Sequence, residues 1–185
     1  MKSEQNGLDS GFGFDFAYCP GCGQKMPEGA VTNPLHCDRC GFTLYCNVAA
    51  AVCALITKGQ KLLATVRRHP PAAGMLDLPG GFVDPDESAE EALARELQEE
   101  LGVSMTGCRY FAACPNIYPC RGITYRTLDL AFVCQISATD TIRCADDVAD
   151  IRWIEPAGVD YSLFGLESTR WFVKRFAVGA TGGRP

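Results

Sequence analysis

Between Gly81 and Val103 the chain runs a turn, an acidic loop, a helix and a helix-stop signal together without interruption, and no other segment so narrows what it can fold into. Ser88 and Glu91 have the spacing of a capping box, in which each side chain accepts the other residue's backbone amide. Leu93, Leu97 and Leu101 recur at i, i+4, and Gly102 suits the left-handed position that ends a helix. A helix is therefore predicted over 88–101, with a leucine stripe that has to be buried against a neighbouring layer. On this helix Glu96, Glu99 and Glu100 are related by i+3 and i+4, so they share one face. Eight of the 22 acidic residues lie between positions 84 and 100. Such a run reads either as a solvated helix face or as a ligand set for a hard divalent cation, Mg²⁺ or Mn²⁺, which prefers oxygen donors. The joining of turn, acidic loop, capped helix and stop residue in one segment favours the cation.

Around this segment the chain alternates strands and helices. Val48 to Ile56 is an apolar run of strand length, Lys58-Gly59-Gln60 a turn, and Lys61 to Val66 the returning strand. Pro70 to Gly74 reads as a loop, Leu76 to Pro79 as a short strand and Gly80-Gly81 as a tight turn. Further strands are predicted at 110–113, 127–136 and 151–154, and a last helix over 166–177, with Trp171, Phe172 and Phe176 partly buried. The order of elements implies an α/β fold in which a mixed sheet lies between helices. The longest apolar run is far short of the roughly 20 residues needed to cross a bilayer, and the start MKSEQNGLDS lacks a secretory core, so a soluble, cytoplasmic protein is expected. A net charge of −5, with no basic run longer than Arg67-Arg68, excludes the electrostatic footprint of a general nucleic-acid binder.

Eleven cysteines in such a chain would suggest disulfides, but the number is odd and four of them form two Cys-x-x-Cys pairs. Cys19-Pro-Gly-Cys22 and Cys37-Asp-Arg-Cys40 lie 14 residues apart, and each is followed by a glycine, Gly23 or Gly41, that permits the positive φ of a metal knuckle. Two such turns supply the four thiolates of a closed tetrahedral Zn²⁺ site, which leaves no position for substrate and stabilises the fold. The unit from Phe16 to Tyr45 is too small to bury a core of its own and needs such a staple. His36 adjoins Cys37, but four cysteines already complete the site. The seven other cysteines mostly fall in apolar or strand-like runs, where a thiol packs as a small hydrophobe.

The segment from Gly81 matches the Nudix box, Gly-x5-Glu-x7-Arg-Glu-U-x-Glu-Glu-x-Gly-U with U aliphatic, at Gly81, Glu87, Arg95, Glu96, Leu97, Glu99, Glu100, Gly102 and Val103. Leu78-Pro79-Gly80-Gly81 just before it is also similar to the family's pattern. The resemblance to Nudix hydrolases implies an α/β/α sandwich with a mixed sheet over 46–178, preceded by a zinc ribbon over 16–45 and flanked by tails at 1–15 and 179–185. It also implies that Glu96, Glu99 and Glu100 bind Mg²⁺ or Mn²⁺, that Glu87 helps directly or through water, and that Arg95 orients a glutamate. Glu96 and Glu99 are then catalytic, with Asp146, Asp147 and Glu155 as further candidates for the general base.

The implied reaction is hydrolysis of a nucleoside diphosphate linked to another group, X. A zinc knuckle pair before a Nudix domain resembles the NADH pyrophosphatase arrangement, although that family's Ser-Gln-Pro-Trp-Pro-Phe-Pro-x-Ser motif is replaced here by Ala113-Cys-Pro-Asn-Ile-Tyr-Pro-Cys-Arg121. A second departure is Leu76, where a tryptophan is common. Substrate contacts are expected from Gly81, from Tyr118 stacking on a base and from Arg121 meeting a phosphate. ADP-ribose or NAD(H)-type dinucleotides are the expected substrates. The alternatives are a (d)NTP pyrophosphohydrolase and a non-catalytic nucleotide- or nucleic-acid-binding module. The ribbon also makes a homodimer an expectation.

Overall fold

The computed structural model describes residues 16–27 and 33–180; the expected tail at 1–15 and the segment 181–185 lie outside the described residues. The sequence after the ribbon folds as an α/β domain. Strand β3 (Ala49–Lys58) turns at Gly59, φ 61°, into β4 (Lys61–Arg67), as the hairpin reading anticipated. β5 (Leu76–Asp77) precedes helix α1 (Ala89–Leu101), which is followed by β6 (Met105–Cys120), β7 (Ile123–Ile136), β8 (Val148–Ile154) and helix α2 (Glu167–Ala180). The six strands form a mixed sheet ordered β5-β4-β3-β7-β6, with β8 also paired to β4. β3 and β7 are parallel from Ala49↔Thr127 to Ile56↔Cys134, and the other pairings are antiparallel.

The run from Val52 to Ile56 is apolar at every position because β3 is covered on both faces. Val52, Ala54 and Ile56 pack with Leu93, Leu97 and Leu101 of α1, while Cys53 and Leu55 pack with Phe172 and Val173 of α2. The leucine stripe is wholly buried, as its period required. Helix α1 has both halves of the capping box, and Gly102 closes it in the left-handed region at φ 64°.

Four elements differ in extent from the sequence reading. β6 runs from 105 to 120 where only 110–113 was expected, and the segment around Tyr118 is strand, paired Tyr118↔Tyr125. β7 and β8 begin four and three residues earlier than expected. The last helix runs on to Ala180, and Phe172 is completely buried while Trp171 stays 38% exposed. Of the seven other cysteines, Cys53 and Cys134 are buried, Cys46, Cys108, Cys114 and Cys120 half-buried and Cys144 exposed. The ribbon pairs β1 (Leu35–His36) with β2 (Thr43–Leu44) over a small cluster of Cys19, Met26, Leu35 and Cys37.

Candidate active site and metal centre

Packing the leucine stripe against the sheet turns the glutamate face of α1 toward the loop that precedes it. Gly80 and Gly81 cross over β3 there, with Val52 N–H donating to the Gly81 carbonyl at 2.8 Å and Ala54 N–H to that of Pro79 at 2.8 Å. This approach needs bare backbone. A Cβ on Gly80, φ 142°, would lie 2.1 Å from the Val52 carbonyl oxygen, and one on Gly81 would lie 2.3 Å from Oε1 of Glu96.

Arg95 holds the acidic side chains in place. Its Nε and Nη2 donate to the two oxygens of Glu87 at 2.8 and 3.0 Å, its Nη1 to Glu96 at 2.9 Å and to Glu99 at 3.1 Å, and Nη2 also reaches the Phe82 carbonyl. The hydrogen bonds from Arg95 hold the Glu87 carboxyl below its ordinary range. Burial instead raises Glu96. Glu100 is the most enclosed acid of the set, 7% exposed, and accepts the Gly80 amide at 2.9 Å. Burial pushes its pKa up to about 8.

Glu96, Glu99 and Glu100 line one end of a cavity of about 270 Å³, together with Asp84, Asp146 and Asp147. Gly81 and Tyr118 line it too. Glu87 is outside this lining, with both oxygens engaged by Arg95. Arg121 is at the β6–β7 turn with φ 49°, and Glu155 follows β8; neither reaches the cavity. The glutamate oxygens do not converge on one point within 4.8 Å, a condition met among the described residues by the four cysteines alone. The donor set at this end is all oxygen, which suits Mg²⁺ or Mn²⁺.

In the ribbon, the Sγ atoms of Cys19, Cys22, Cys37 and Cys40 all lie within 4.8 Å of one another, with Cys19···Cys40 at 3.7 Å and Cys22···Cys37 at 3.9 Å. A tetrahedron with Zn–S bonds of about 2.3 Å has S···S edges of about 3.8 Å, so the thiols are spaced for zinc. Gly23 and Gly41 take φ 68° and 74° and donate to the carbonyls of Cys19 and Cys37, while the Gly21 amide faces the Cys19 sulfur at 3.3 Å.

A NUDIX domain model matches residues 47–172, about two thirds of the chain. The chain belongs to the Nudix hydrolase family. Among curated proteins it is similar to NAD-capped RNA hydrolase NudC of Stutzerimonas stutzeri, 29% identical over 74% of this chain and 47% of that protein. NudC of Pseudomonas putida strain W619 is 24% identical over 89% of this chain and 57% of that protein. The chain thus spans about half the length of the curated relatives it matches. Among solved structures, a NUDIX hydrolase from Nitrosomonas europaea superposes with TM-score 0.66 at 20% identity, covering 91% of this chain and 94% of the other. A bifunctional NMN adenylyltransferase/ADP ribose pyrophosphatase from Francisella tularensis gives TM-score 0.53 at 22% identity over 74% and 42%. Both show the same fold.

A second polar group on the wall of the Nudix cavity was not anticipated from the sequence. Arg67 donates to Asp77, to the Tyr118 hydroxyl at 3.0 Å and to the Pro71 carbonyl at 2.7 Å. Asn116, Thr127 and Asp129 stand beside them. One signal for these was available: in β7 the polar Thr127 and Asp129 are buried while Leu128 between them is 39% exposed. This reverses the usual alternation of a strand.

Proposed function

We propose that this chain hydrolyses the pyrophosphate of a nucleoside diphosphate linked to X, with ADP-ribose and NAD(H)-type dinucleotides as its foremost substrates. The observation that carries the reading is the set of carboxylates from Glu96, Glu99, Glu100, Asp146 and Asp147 on one end of a single cavity, beneath the bare Gly80-Gly81 backbone. Names among the curated relatives point the same way, since NAD-capped RNA presents a pyrophosphate between two nucleosides.

Glu96, Glu99 and Glu100 would hold Mg²⁺ or Mn²⁺, which when bound offsets the pyrophosphate's charge and acidifies an attacking water. Arg95, anchored on Glu87, keeps Glu96 and Glu99 in register, and so ties the box arginine to ligand geometry through charge-assisted hydrogen bonds. Asp146 or Asp147, both on the cavity wall, takes the water's proton. Gly80 and Gly81 both line the cavity, where their backbone can meet the diphosphate. Tyr118, held by Arg67, and Phe82, 5.6 Å away between ring centroids, offer an aromatic wall for a base. In the ribbon, Zn²⁺ on the four thiolates is structural.

The test is turnover of ADP-ribose, NADH, NAD⁺, NAD-capped RNA and (d)NTPs with Mg²⁺ or Mn²⁺, by wild type and by Glu99→Gln. Two monophosphates from a dinucleotide, lost in the variant, are expected. Release of pyrophosphate from (d)NTPs alone would replace this reading with the nucleoside triphosphatase one. No turnover of any substrate by folded protein would replace it with a binding module.

A further inference from the structure

Besides the box glutamates, the cavity contains a second polar assembly with its own logic. Asp129 is 8% exposed, and its carboxylate accepts hydrogen bonds from Asn116 Nδ2 at 2.9 Å, Thr127 Oγ1 at 2.6 Å and the Ser168 hydroxyl. These donors come from β6, β7 and α2. Apolar side chains could pack the same junction without desolvating a charge. A buried carboxylate with a full set of partners is instead a device for orienting them. Since Asp129 only accepts, it selects the Asn116 amide orientation: the NH₂ turns to the carboxylate, and the carbonyl Oδ1 remains as the acceptor a cavity-lining Asn116 can offer.

The charge around this assembly agrees. Asp77 and Asp129 bring two carboxylates, and the single guanidinium of Arg67 is committed to Asp77, Tyr118 and the Pro71 carbonyl. A phosphate is disfavoured here and a hydrogen-bond donor is favoured. Tyr118 and Phe82 line the same cavity with ring centroids 5.6 Å apart, and Phe82 is 36% exposed next to Gly81. The cavity therefore offers carboxylates and backbone for a diphosphate, rings for a planar group, and an acceptor.

We propose that Asn116, positioned by Asp129, is a specificity-determining residue whose Oδ1 accepts from an NH₂ group on the planar ring of the substrate, such as the amino group of adenine or the carboxamide of nicotinamide. This rests on the nucleotide-hydrolase reading above. Asn116 touches the ring; Asp129, Thr127 and Ser168 act through it as positioning residues.

The test pairs ligands that differ in the donor at unchanged charge: AMP against purine riboside 5′-monophosphate, which lacks the 6-amino group, and NAD⁺ against its 3-acetylpyridine counterpart, in which a methyl group replaces the amide NH₂. Binding is read by calorimetry, and kcat and KM are read for the dinucleotides. Wild type should favour the NH₂ member of at least one pair by roughly tenfold or more, the worth of a well-made hydrogen bond. Asn116→Ala should bring that ratio to within about twofold, read in KM rather than kcat. Should the alanine variant melt well below wild type, Asn116→Thr keeps a hydroxyl for Asp129 but removes the amide carbonyl. Asp129→Asn, which lets the Asn116 amide turn over, should lower the same ratio. Equal affinity within both pairs in wild type, or a preference unchanged in the Asn116 variants, overturns the proposal. Preference in binding without turnover would refute the hydrolase and keep the recognition; turnover without preference would do the reverse.

Discussion

Gly80 and Gly81 are adjacent, and a methyl group added to either should damage the protein in different ways. At Gly80 the new Cβ would lie 2.1 Å from the backbone oxygen of Val52, in a strand buried on both faces, and φ 142° lies where side chains are rarely accommodated. Neither partner can retreat, so strain and overpacking together should cost about 3–5 kcal/mol. For a chain of this size that is a fall in Tm of roughly 6–20 °C. At Gly81 the Cβ meets the end of a side chain, the Glu96 carboxylate, 2.3 Å away. Glu96 must retreat by about 0.7 Å or more, which the fold tolerates but a reacting geometry does not: a displacement approaching 1 Å costs on the order of 100-fold in rate. Thermal melts of Gly80→Ala and Gly81→Ala, with kcat measured across a Mg²⁺ titration, check this. Gly80→Ala should be chiefly unstable, and Gly81→Ala should melt within about 3 °C of wild type while losing about two orders of magnitude in kcat. Full activity in Gly81→Ala, or equal destabilisation of the two, would refute the reasoning.

Leu97→Ala, at a fully buried position on α1, should cost about 3–5 kcal/mol by denaturant titration, because the sheet behind it cannot collapse into the space. Arg95→Met removes the cation shared by Glu87, Glu96 and Glu99 and should cut kcat by at least about 100-fold; an unchanged rate would show that the network is not needed. Removing zinc with a chelator should unfold the ribbon, seen as rapid proteolysis within 16–45, while the α/β domain keeps its melting transition. In metal-free protein, Glu100 has a folded pKa of about 8, raised by burial from 4.5. The neutral acid is the form the fold prefers, so its contribution is fully present below 4.5 and is lost as pH rises through 8. Tm of the metal-free protein should fall over that interval, and Glu100→Gln should flatten the slope.

The elements legible in the sequence were those specified locally. The capping box, leucine period and terminal glycine of α1 act within a few residues, as do the Cys-x-x-Cys turns. β6 was expected over four residues, yet the strand runs to Cys120 through both Pro115 and Pro119. It is the edge of the sheet, so a missing amide costs nothing when it would have pointed outward, and a spacing of four puts both prolines in the same phase. Asn116, Asp129 and Ser168 went unread for another reason: they are 13 and 39 residues apart along the chain and meet only when β6, β7 and α2 have packed. Likewise the box spacing put Glu87 among the carboxylates without showing that Arg95 takes up both of its oxygens.

Those prolines matter to the molecule's neighbours as well as to its fold. A 16-residue edge strand, with Ile117 42% exposed, is a long ladder of the kind a second chain can extend, and such edges seed aggregation. With no amide at 115 or 119, an approaching strand finds the donors missing on either side of Ile117, which interrupts pairing along this part of β6. Strand addition is thereby disfavoured along 115–119, the part of this edge whose Asn116 and Tyr118 line the cavity.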